Sequence, residues 1–155
     1  MTFRRIVWLM PAAFAVHIVE EAAGGFPAWV GLVVGSPMPL PVFLLNNAAF
    51  MVVLVGLTAW ATIRPGRLPA FLLVAWASGN LFWNFVFHLV TTVLLDRYSP
   101  GLVSAVLLYF PLSVAVAWAV LREHVLGTGR FLGAVSIGAG LMLLVIRARL
   151  FDAAP

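Results

Sequence analysis

The chain has no cysteine and no lysine, and among its 155 residues only nine arginines and five acidic side chains carry formal charge. The missing cysteines exclude thiol nucleophiles, disulfides, thiolate metal sites and iron–sulfur clusters. Charged residues make up 9% of the chain, where a soluble domain carries about a quarter. That deficit, together with several long apolar runs and a mean hydropathy of +1.11, excludes an ordinary soluble domain and points to an integral membrane protein. The arginines are scattered at segment ends rather than gathered in a patch. They mark membrane topology and exclude nucleic acid as a partner.

What is present reads as five apolar segments: about 6–23, 42–63, 68–95, 101–121 and 130–146. The expected fold is an all-α bundle of five transmembrane helices, with residues 1–155 forming a single domain. Arg4 and Arg5 before an apolar run fit a signal peptide, but Glu20-Glu21 would fall at the cleavage region, where small neutral residues belong. The first run is therefore read as a retained span. Residues 26–40 carry no charge and hold Trp29, Pro37 and Pro39. They are too short to span and too apolar for a free loop, so an interfacial or re-entrant segment anchored by Trp29, placed to act as a lid, is expected. Ser99 is expected to cap the fourth helix, with Pro100 in its first turn. Gly129/Gly133, Ala134/Gly138 and Ser136/Gly140 suit close packing on the last helix, either within the bundle or in a homo-oligomer.

Five spans put the termini on opposite sides. Arg4, Arg5, Arg64, Arg67, Arg122 and Arg130 face Arg97, Arg147 and Arg149. This bias predicts a cytoplasmic N-terminus and an outside C-terminus.

Against this background His17-Ile18-Val19-Glu20-Glu21 stands out. Three ionisable side chains cover roughly a 100° arc of a helix inside an apolar run. Charges there cost kilocalories unless they face an interior and find partners. Asn80, Asn84 and His88 recur at i,i+4 spacing and form one stripe on the third segment. Counting in from the segment ends at 1.5 Å per residue sets His17, His88, Asn46, Asn47 and Tyr109 all roughly 10 Å below one membrane face. A polar cluster shared by segments one to four is expected, open toward the non-cytoplasmic side.

The motifs His17-x-x-Glu20-Glu21, Asn84-x-x-x-His88 and Tyr98-Ser99-Pro100-Gly101 occur in order. In these the chain resembles the HXXEE family of small integral membrane proteins. The resemblance covers about residues 17–101. It implies that these residues form the family signature, and it carries no activity.

Several functions fit the cluster. A buried polar network can simply fix helix packing. His17, Glu20, Glu21 and His88 offer the ligand types of a divalent zinc or iron site, with Asn84 orienting His88 or holding a water. No haem or nucleotide is expected. The same four side chains, without a metal, can act as general acid and base on a membrane lipid or other hydrophobic small molecule such as an isoprenoid, by isomerisation, cyclisation or hydrolysis. Asn46, Asn80, Asn84 and Tyr109 would then bind substrate, with Trp76, Phe82, Trp83 and Phe85 as an apolar lining. A proton- or ion-coupled carrier is the competing class. The enzyme is the preferred reading.

Overall fold

A computed structural model describes residues 1–147 other than Ser36. Arg149, one of the topology markers, lies outside the described residues. All regular secondary structure among the described residues is helical, and five helices are long and apolar enough to cross a membrane: Phe3–Ala23, Leu40–Ile63, Arg67–Leu95, Leu102–Arg122 and Thr128–Arg147. We refer to them as the first to fifth spans. Each agrees with its expected segment to within three residues.

The third span is central, with 44% of its most apolar window buried against 11% for the second and for the fifth. It contributes Ala70, Leu73, Val74, Ala75 and Leu81 to the main core, which Phe14 and Tyr109 join from the first and fourth spans. The first span bends at Val7-Trp8, between helical stretches Phe3–Ile6 and Leu9–Ala23. Pro11 falls in the first turn after the bend, where its missing N–H costs least. Glu123 accepts the Phe3 backbone N–H at 2.9 Å, and Arg4 donates to the Thr62 carbonyl. These bonds tie the start of the first span to the ends of the fourth and second.

Two π-helical turns interrupt the spans, at Ser78–Trp83 and Ala105–Tyr109. Each adds a residue to the local turn and rotates the downstream part of its span, a device common at functional sites. At the first one the third span meets the fifth. A Cβ on Gly79 would lie 3.0 Å from the Gly138 carbonyl oxygen, and one on Gly138 would lie 2.7 Å from the Gly79 nitrogen. Ala134 and Gly138 are therefore used for packing inside this bundle, whereas Gly129, Gly133 and Gly140 face open space.

After the first span come two short helical turns, Phe26–Trp29 and Gly31–Val34. The Met38 N–H closes the segment by donating to the Pro27 carbonyl at 2.7 Å. Phe26, Val30, Met38 and Phe43 form a small second core beside Phe87. Trp29 packs its ring 6.3 Å from that of Phe87, so it is anchored on the third span.

The expected Ser99 cap does not form. The fourth span starts at Leu102, after Gly101 at φ 108°, and has no cap from a neighbouring side chain. Its N-terminus is closed instead by a carboxylate from another helix.

Candidate metal centre

His17 and Glu21 sit one turn apart on the first span, so both side chains leave the same face. That face meets the third span at His88. The Oε1 atom of Glu21 lies 3.4 Å from His17 Nε2 and 3.3 Å from His88 Nε2. The two imidazoles meet edge to face with centroids 5.0 Å apart. Both are fully buried, and Glu21 is 4% exposed. One ligand atom from each of the three residues lies within 4.8 Å of the other two, a group that could hold a metal ion.

The far sides of both rings are held. His17 Nδ1 lies 2.8 Å from Ser104 Oγ, and His88 Nδ1 lies 2.7 Å from Ser99 Oγ. The Ser104 hydroxyl is within 3.2 Å of the Gly101 carbonyl. If its proton goes there, the oxygen accepts Nδ1–H from His17, and the Nε2 lone pair is free toward Glu21. Neither Nε2 has a hydrogen-bond partner.

Gly101 closes the group from above. A Cβ on it would lie 2.7 Å from His88 Cε1, 2.8 Å from His17 Cε1 and 3.0 Å from Glu21 Cγ. Two independent constraints thus require glycine: the close approach and the left-handed φ. Phe26 covers another side, its ring 5.6 Å from that of His88.

Glu20 is not brought into the group. One of its oxygens accepts from the Tyr98 hydroxyl at 2.5 Å, the Gly101 N–H at 3.2 Å and the Val103 N–H at 3.1 Å. The other accepts the Ser104 N–H at 2.7 Å. A carboxylate from the first span thereby satisfies the orphan donors at the start of the fourth span and complements its dipole. The Tyr98 phenol, outside the spans, has its pKa raised by burial and by the Glu20 carboxylate beside it.

On the other side of Glu21 lies a cavity of about 220 Å³. Asn46 and Asn47 of the second span reach it, as do Asn80 and Asn84 of the third. Of the four expected aromatic lining residues only Trp76 is among its walls. Trp83 donates to the Val135 carbonyl at 2.9 Å, Phe85 packs against Phe110, and Phe82 lines a separate apolar cavity. The lining also includes Phe14, Phe26, Phe43, Phe50 and Phe87, which the sequence pattern did not single out. Tyr109 lies behind His17, with ring centroids 4.3 Å apart and its hydroxyl buried without a partner.

Ser99 and Ser104 are the contributors that spacing did not mark as site residues. Ser99 belongs to the Tyr98-Ser99-Pro100-Gly101 motif, where local sequence favours a helix cap. The one sequence signal for Ser104 is its nearness to Tyr109, five residues further along the same span.

A family model described as "Protein of unknown function with HXXEE motif" matches residues 8–116. No curated protein and no solved structure matches the chain.

Proposed function

The chain belongs to the HXXEE family, and we propose that it is a membrane-embedded, divalent-metal-dependent enzyme acting on a hydrophobic small molecule. The observation that carries this is the convergence of two unpartnered imidazole nitrogens on one carboxylate oxygen, at 3.4 and 3.3 Å. Those separations suit coordination. Metal–ligand bonds of 2.0–2.1 Å in a tetrahedral site set neighbouring ligand atoms roughly 3.3 Å apart.

His17, His88 and Glu21 would hold the ion. Two imidazoles and one carboxylate form a common open set for zinc or ferrous iron. Such an ion, when bound, supplies Lewis-acid activation of a substrate oxygen or a bound water. The chain's own residues do the rest. Ser99 and Ser104 fix the ring orientations through Nδ1, the usual role of outer partners at metal-binding histidines. Glu20 holds the turn that carries both serines. Phe26 and Gly101 exclude water from the imidazoles. The asparagines beside Glu21 receive the polar end of the substrate.

Metal analysis of protein purified in detergent tests the proposal. About one zinc or iron per chain is expected, lost in His88→Ala and in Glu21→Ala. Ser99→Ala and Ser104→Ala should keep the site and weaken it about 10–100-fold. Protein that stays metal-free after growth with added zinc and iron, and whose thermal stability ignores both ions, would refute it. Turnover by such metal-free protein would favour Glu21 and the imidazoles as a proton-transfer set. Proton or ion flux in liposomes without turnover would favour a carrier.

A further inference from the structure

The cavity beside Glu21 has a polarity that selects among hydrophobic substrates. Among the described residues its polar lining is one carboxylate and four carboxamides, with no basic side chain. The asparagines are not equivalent. Asn47 and Asn80 each commit an amide hydrogen to their own helix, donating to the Phe43 carbonyl at 3.0 Å and the Trp76 carbonyl at 2.9 Å. These bonds fix both amide planes. Asn84 Oδ1 is buried with no partner at all. An unpaired buried acceptor is costly and calls for a donor from whatever fills the space.

The rest of the wall is apolar. Phe14, Phe43, Phe50 and Trp76 line it together with Leu141, Met142 and Leu144 of the fifth span. Among the described residues the second and fifth spans hardly touch each other, yet both line the cavity. Leu144, on its rim, is 58% exposed. The opening therefore faces sideways, toward the lipid chains. The volume is below the 300–1,000 Å³ usual for a whole drug-sized ligand, so it suits a head and the first part of a chain, with the remainder lying between the two spans in the bilayer.

We infer that this cavity binds a long-chain lipid alcohol: an uncharged amphiphile whose hydroxyl donates to Asn84 Oδ1 beside Glu21, with its chain leaving between the second and fifth spans. An anionic head is disfavoured because it would enter next to Glu21 and a carbonyl oxygen, with no arginine among the described lining residues. An ammonium head would compete for Glu21 with the imidazoles. The hydroxyl alone offers a donor for Asn84 and a lone pair for the metal centre. This deepens the proposed function and rests on it only for the reason the hydroxyl is brought to Glu21. The binding itself does not need the ion.

The test uses the full chain in phospholipid nanodiscs and a dodecanol carrying a chain diazirine. Irradiation followed by peptide mapping should give saturable labelling within residues 43–50 and 141–146. Dodecanol should compete for it, while dodecyl phosphate and dodecylamine should compete at least tenfold less well. Asn84→Leu should cut labelling at least tenfold at unchanged melting temperature; should Leu not fold, Asn84→Ala is read in the same way. His88→Ala should lose metal and keep labelling, which separates this inference from the metal reading. Equal competition by the phosphate or the amine, labelling spread evenly over lipid-facing residues, or full labelling of folded Asn84 variants would each overturn it.

Discussion

Glu20 accepts the backbone N–H of Ser104 at 2.7 Å, and Ser104 in turn meets His17 through its hydroxyl at 2.8 Å. The residue three places from Glu20 on the first span is thus oriented by way of the fourth span, whose start Glu20 itself fixes. The two acidic residues of the His17-x-x-Glu20-Glu21 motif divide the labour. Glu21 faces the imidazoles, and Glu20 holds the turn that holds the imidazoles.

Removing that hold should cost stability before it costs chemistry. Glu20→Ala deletes the acceptor of three backbone N–H groups and one phenol, and losing a helix cap costs about 0.5–2 kcal/mol. Thermal unfolding in detergent should fall accordingly, with Glu20→Gln falling less. The Tyr98 bond adds a pH signature. Its phenol pKa is raised in the folded chain, so its contribution is complete below the unfolded value of about 10 and fades only as pH rises through the higher folded value. Stability should be flat across neutral pH on this account and decline in strong alkali, and Tyr98→Phe should remove that part of the decline. Alkaline titration of tyrosine absorbance, compared between wild type and Tyr98→Phe, would check the shift.

Gly101 should tolerate nothing larger. A Cβ there would collide with both imidazoles while demanding a positive φ of 108°. Gly101→Ala should expel the turn from the site, lower the melting temperature and abolish metal binding. Gly35→Ala is the control: it also has a positive φ, at 88°, but nothing lies within 4 Å. It should lose only the backbone term, about 1–2 kcal/mol. Equal losses in the two variants would show that contact with the imidazoles does not matter.

The arginines predict an orientation. Arg64 and Arg67 flank the turn between the second and third spans, and Tyr98 lies beyond the opposite end of the third. The positive-inside bias predicts that the former lie in the cytoplasm. Single cysteines introduced at the exposed positions 66 and 97 have no native thiol to compete with, and a membrane-impermeant reagent on intact cells should label 97 and leave 66 unlabelled. Labelling at 66 alone would reverse the orientation and put the metal centre near the cytoplasmic face.

Hydropathy and helical periodicity made the spans, the i,i+4 pair His17/Glu21 and the common depth of His17 and His88 legible, because each depends only on rise and turn along one helix. What they could not reveal depends on how helices meet. Glu20 and Glu21 are adjacent and point about 100° apart, so the angle at which the first span is packed decides which one reaches His88. Asn80 and Asn84 still line one cavity beside Glu21, and His88 still meets Glu21, across the π turn at Ser78–Trp83, whereas Phe82 and Trp83 in that same turn go to other surfaces. Ser99 had a good local role as a cap, but its hydroxyl is taken by a buried imidazole nitrogen instead.

Replacing Glu21 with Gln discriminates most sharply between a packing network and a metal centre. Among the described residues Glu21 is the one acidic side chain in the buried group, and no arginine pairs with it. If the group only fixes helix packing, its charge is a liability. Gln keeps the shape, removes the desolvation cost, and should leave the melting temperature unchanged or higher. Chelator should then have no effect on wild type or variant. If the group holds an ion, wild type carries a stabilisation that grows with metal, about 2.7 kcal/mol at a free concentration one hundred times the Kd. Chelator should remove that increment from wild type. Glu21→Gln should lack it from the outset, melt at or above chelated wild type, and ignore both chelator and added zinc. Melting curves of the two proteins, each with and without chelator, therefore give different patterns for the two readings. A chelator-insensitive wild type would return His17, Glu21 and His88 to the packing of the bundle.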